Sequence, residues 1–137
     1  MLKITEEMKE LLKGNLCYIA TATPDGMPCV APKSCRFTEE GMPYFTEWAG
    51  KKTYGNLLAN PRVAISTTSQ DKKTSFRFEG EAKVLTDGPL FESESRRRIE
   101  KGKRPVVAIV VVDVKAVYEM GKRDHGPGGL IELPEQS

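Results

Sequence analysis

Ile4, Met8, Leu11 and Leu12 recur at helical spacing. Thr5 is placed to cap a helix ahead of Glu6 and Glu7, and Gly14 to stop it. Leu16–Thr23, Pro28–Phe37 and Pro43–Trp48 then read as three strands. They are separated by the turns Pro24-Asp25-Gly26 and Glu39-Glu40-Gly41, short enough to predict an antiparallel meander. Helical spacing returns over Lys52–Ala59 and ends at Asn60-Pro61. Arg62–Thr68 follows as a fourth strand and Gln70–Lys73 as a polar loop. Over Thr74–Leu85 the alternation is clean. Phe76, Phe78, Ala82 and Val84 take one face, Arg77, Glu79, Glu81 and Lys83 the other, and Gly80 marks a bend or bulge.

A third helix is predicted from Thr86-Asp87-Gly88-Pro89, with Asp87 or Thr86 as cap and Pro89 in the first turn. Its acids, Glu92 and Glu94, come early and Arg96, Arg97 and Arg98 late. That order suits the helix dipole, so the arginine run reads as a helix end rather than a nucleic-acid patch. Pro105–Val112 is a nearly unbroken β-branched run, which predicts a strand covered on both faces. Val114–Met120 predicts one more strand, and the segment from Gly121, with GPGG and Pro134, an irregular tail. The sum is a mainly β chain of at least six short antiparallel strands with inserted helices. It predicts a small antiparallel barrel in a single domain over residues 1–137, with an N-terminal helix over 1–14 and an irregular tail over 121–137.

Composition narrows the function classes. The 137 residues are 39% hydrophobic and 29% charged, ordinary for a soluble globular domain, and the net charge of +2 gives no reason to expect nucleic acid. The apolar run Val106–Val112 is far below the ~18 residues a membrane helix needs, and the charged N-terminal stretch lacks a secretory apolar core, so a cytoplasmic protein is expected. Cys17, Cys29 and Cys35 form no CxxC pair, and His125 is the sole histidine, which argues against a metal cluster. Buried reduced thiols are expected; a nucleophilic cysteine served by His125 is the alternative, with nothing in the sequence placing the two together.

The stretch YFTEWAGKKTYGNLLANP poses a question, because Lys51 and Lys52 stand where a helix begins and where the dipole repels cations. Unpaired first-turn amides, two ammonium groups and the Thr53 hydroxyl would together cradle a phosphate, with Gly50 allowing close approach. Solvated lysines at a helix end fit the pattern equally well. The GxxxxGK[ST] spacing of a nucleotide-triphosphate loop is absent.

The ordered pieces TPDGMP, YFTEWAGKKT, NPRVA, RFEGEAKVL and VLTDGPLFE resemble the FMN-binding split barrels related to pyridoxamine 5'-phosphate oxidase, over roughly Leu16 to Val112. The resemblance implies a six-or-more-stranded antiparallel split barrel that forms a homodimer, with FMN in the cleft between subunits. It implies that Lys51, Lys52 and Thr53 hold the phosphate. Val30, Ala31, Pro32, Lys33, Ser34 and Cys35 would run along the ring, largely through backbone groups. Phe45, Thr46 and Glu47 would support the ring and ribityl chain, and Ser75 falls where the family has a glutamine. Lys33 would stand near the pyrimidine end of the ring, or be a solvated strand residue. Cys35, on the same face by period two, would be a packing contact.

Departures set the vitamin-oxidase activity apart: Lys52-Thr53 stand in place of arginine followed by lysine, Pro32 has no N–H to give a flavin carbonyl, and the chain ends in ELPEQS rather than a basic segment. A flavin needs no protein acid or base for hydride or electron transfer, so no catalytic side chain is assigned. An oxidoreductase or electron carrier with an unknown redox partner or substrate is expected. The alternative is a module on the same barrel that holds a flavin, deazaflavin or haem without turnover.

Overall fold

The structure, a computed structural model, describes residues 4–49, 51–71, 73–120 and 129–131. Helix α1 (Glu6–Gly14) starts as its sequence requires: Met8 N–H donates to the Thr5 hydroxyl at 3.3 Å, and Met8, Leu11 and Leu12 are buried. Strands β1 (Cys17–Ala22) and β2 (Pro28–Lys33) form the first hairpin. They are followed by β3 (Arg36–Phe37), β4 (Pro43–Glu47), α2 (Lys52–Ala59), β5 (Arg62–Ser69), β6 (Thr74–Leu85), α3 (Pro89–Glu100), β7 (Ala108–Glu119) and β8 (Leu130–Ile131). All pairings are antiparallel, in the order β2-β1-β5-β6-β7-β4-β3, with β8 added to β7.

That order makes the barrel. The edge strands β2 and β3 are separated in sequence by only Ser34 and Cys35, so the sheet curls until its two ends meet at that corner. The expected long strand Pro28–Phe37 is therefore broken in two. It pairs with β1 through its first part and with β4 through its second, and the simple three-strand meander is corrected to a split barrel.

The two strands expected over Pro105–Val112 and Val114–Met120 are one, β7, which starts at Ala108. Glu79 pairs with Ala116 and Gly80 with Val114, so Lys115 is the extra residue of a bulge. The bulge shifts the alternation: Val110, Val112 and Val114 point into the barrel core before it, and Val117 after it. On the other face Ile109 and Val111 join Tyr44 and Val106 in a second core, against Leu90 and Phe91 of α3. Coverage of both faces was expected, and α3 supplies the second cover; each such side chain contributes ~1.5–3 kcal/mol by burial.

Two smaller expectations are corrected. The N-cap of α3 is Gly88 (φ 95°) rather than Asp87 or Thr86, with Pro89 in its first turn as expected. Part of the tail is regular, since Leu130 and Ile131 pair with Tyr118 and Val117; residues 121–128, with His125, and 132–137 lie outside the described residues. Among the described residues no helix is long and apolar enough to cross a membrane, and no group of three or more His, Cys, Asp or Glu side chains could hold a metal ion.

Candidate functional site

Helix α2 begins where its sequence predicts. Lys51 is the N-cap, with no side-chain capping bond, and the first turn holds no acid. The helix is fixed on β1 by two amides: Asn56 Nδ2 donates to the Thr21 hydroxyl at 3.1 Å and Asn60 Nδ2 to the Ala22 carbonyl at 3.3 Å. Lys51 and Lys52 are exposed, whereas Thr53 is buried. The solvent-facing part of the expected cradle is therefore two ammonium groups and the first-turn amides. Gly50 lies outside the described residues.

Along β2, Val30 and Pro32 point outward, Val30 63% exposed, while Ala31 and Lys33 are partly buried. Lys33 reaches Glu47 at the end of β4, Nζ to Oε1 3.0 Å, with the Glu47 side chain 3% exposed. The strands β2 and β4 are not sheet neighbours, so this ion pair spans the seam of the barrel. Oε1 makes no aligned hydrogen bond despite the short distance, which leaves acceptor capacity on a buried carboxylate.

Phe45 and Cys35 belong to the barrel core. The neighbouring Cys17 thiol and burial push the Cys35 thiol well up, so it stays protonated, in keeping with a packing role. A ligand would meet Cys35 through its backbone. Ser75 is at the other end of β6. It lies ten residues, on the order of 30 Å of strand, from Leu85, which is in register with Ile109 and through it with Thr46. Its hydroxyl accepts from Thr68 at 3.2 Å. It is thus remote along β6 from Thr46, while across β5 and β1 it lies three strands from the Lys33 end of β2.

A cavity of about 260 Å³ opens beside Ser34, Phe45 and Thr46, and its remaining lining escaped the sequence reading. Arg36, Arg97, Arg98, Lys101 and Lys103 face it, against one carboxylate, Glu94. Glu94 is committed already. It accepts from the Tyr44 hydroxyl at 2.9 Å and from Arg36 at 3.1 and 3.3 Å, with Arg97 at 3.6 Å. Arg98 donates to the Arg104 carbonyl at 2.6 Å and stacks over Trp48 at 5.3 Å, tying the end of α3 to the loop that enters α2. The arginine run is a helix end, as expected, and also a cavity wall. The signal available was the excess of cations over Arg96–Arg104; the Arg36–Glu94 contact, 58 residues apart, had none.

Burial, and then the bond to Glu94, push the Tyr44 hydroxyl up to about 12, against an ordinary value of 10. A group raised on folding contributes stability that is fully present below pH 10 and is lost as pH rises through about 12. Urea unfolding of the wild type should therefore weaken between pH 10 and 12 by on the order of 2 kcal/mol more than that of Tyr44→Phe. Parallel curves for the two proteins would show that the phenol is not held this way.

The curled antiparallel sheet and its seam define a split-barrel protein, with a cluster of cations beside the seam. The pyridoxamine 5'-phosphate oxidase family matches residues 4–121, and the chain belongs to that family. It is 30% identical to the protein MJ0282 of Methanocaldococcus jannaschii, over 98% of this chain and 92% of that one. Over 62% of its length it is 36% identical to the pyridoxine/pyridoxamine 5'-phosphate oxidase of Rubrobacter xylanophilus, spanning 37% of that enzyme. Among solved structures it is similar to HupZ of Group A Streptococcus, with a TM-score of 0.79 at 22% identity, over 94% of this chain and 99% of that one.

Proposed function

We propose that the protein binds FMN across the barrel seam and works as an oxidoreductase or electron carrier, with the flavin shared between two copies of the chain. The observation that carries this reading is the start of α2. A helix N-terminus with two exposed lysines, no capping side chain and no acid is chemically matched to a phosphate dianion. Lys51 and Lys52 would hold that phosphate, while β2 and the end of β4 would flank the ring. Bound there, the flavin supplies hydride or electron transfer itself. Pro32 offers no N–H, which leaves its neighbours in β2 and the Lys33 ammonium as donors along the strand.

The chain's own part is to bind, orient and set charge. Tyr44, its hydroxyl raised by burial and Glu94, stays protonated near neutral pH. The cations around the cavity suit an anionic substrate placed beside Ser34 and Thr46.

The shared site predicts a homodimer. Tyr18, Val30 and Pro32 on the outer faces of β1 and β2 are exposed, and Tyr18 and Pro32 pair directly, so an apolar patch is available to a second copy. Light scattering on dilute protein carrying its flavin should give twice the chain mass. A monomer that keeps its flavin would contradict the shared site.

A further inference from the structure

We infer that Glu47 sets the reduction potential of the flavin by neutralising Lys33, an inference that rests on the FMN reading above. Lys33 is the last residue of β2 and Glu47 the last of β4, the two strands to which the ring is assigned. They meet across the seam, from the strand at one end of the order and the strand next to the other end. Nζ is 3.0 Å from Oε1, with side-chain exposures of 19% and 3%, so the charges face each other in a largely dry place where an effective dielectric far below that of water applies.

Taking up electrons places negative charge on the ring. A lone cation at this position would favour the reduced form, and a lone carboxylate would oppose it. The pair carries no net charge and favours neither. Lys33 alone would favour the reduced ring; the structure pairs it with Glu47. Oε1, the oxygen that faces Lys33, makes no aligned hydrogen bond, so what it presents to the ammonium is charge rather than a fixed bonding geometry.

The test measures the affinities of the apoprotein for oxidised and for dithionite-reduced FMN, because the change in their ratio is the change in potential. Glu47→Gln leaves Lys33 uncompensated, and the ratio should move about tenfold toward the reduced form, about 30 mV for a two-electron couple. Lys33→Met should move it in the opposite direction. The double variant, neutral again, should return to within about twofold of the wild type. It is also the variant most certain to fold, since replacing both members of a buried pair costs far less than removing one.

Should Glu47→Gln alone fail to fold, the step from Lys33→Met to the double variant still isolates the carboxylate, and the ratio must rise across it. A clasp with a purely structural role would lower both affinities together and leave the ratio unmoved in every variant, which overturns the inference while FMN binding stands. Wild-type protein that binds neither form of FMN overturns both readings.

Discussion

Apoprotein titrated with FMN and with riboflavin will bind FMN at least a hundredfold more tightly. The two ligands share the ring and the ribityl chain and differ only in the phosphate, so the ratio isolates the start of α2. Each hydrogen bond to a charged group contributes ~1.5–3 kcal/mol. Lys51 and Lys52 are exposed, which places their pair toward the lower end, near the ~2.7 kcal/mol that a hundredfold represents. Lys52→Ala should cost on the order of 1.5 kcal/mol of FMN binding, about half of the pair's share, and nothing of riboflavin binding. Changing both lysines to Ala should bring the ligands to within about tenfold of each other, the remainder coming from the first-turn amides. The advantage of FMN should also shrink with salt, because exposed charges are screened. Equal affinity for the two ligands would move the phosphate elsewhere.

Gly80→Ala will destabilise the fold by at least ~3 kcal/mol, the range reserved for backbone conflicts and ruptured cores. A Cβ at Gly80 would sit on the Asp113 carbonyl oxygen, 2.8 Å from its carbon and 3.0 Å from the Val114 Cα. Every one of these atoms is main chain, so no side chain can swing aside. Nor can β7 withdraw, because its two faces are packed against the barrel core and against α3. The conflict falls at the Lys115 bulge, which brings Val117 inward, so relieving it would disturb the register beyond. Gly55→Ala is the matching control: it is helical, has nothing within 4 Å of an added Cβ, and should gain up to ~1 kcal/mol. Urea unfolding of the two variants beside the wild type provides the check. A Gly80→Ala protein of wild-type stability would mean that the close approach of β6 and β7 does not exist.

What the sequence disclosed follows from the range of each signal. Helix α2 was legible to the residue because its stop, Asn60-Pro61, and its apolar spacing are local. The both-faces burial of β7 was legible in its unbroken β-branched run. Its continuity past Asp113 was not, since a polar residue followed by a change of parity looks the same in sequence whether a strand ends or a bulge resets it. The break at Ser34-Cys35 carries no Gly or Pro to announce it; it is imposed by the distance the chain must travel from β1 to β4 as the sheet curls.

The site divides the same way. Lys51 and Lys52 were named from a local motif, and the strands expected to flank a flavin from the resemblance. The cavity between α3 and β3–β4 depends on Arg36, Tyr44 and Glu94, which only the tertiary fold brings together, and the arginines of α3 were given a reading that was correct for the helix and incomplete for the surface. Ser75, carried over from the resemblance alone, stands at the far end of β6 from Thr46.

The central claim is that this chain is an FMN protein. Its most direct test is to add FMN to the purified protein, remove the excess, denature it and identify the released molecule by mass. The account predicts FMN at one per chain, with flavin absorption lost from the protein on release. A chain that retains no FMN, or one that gives up haem or a deazaflavin in its place, would contradict it.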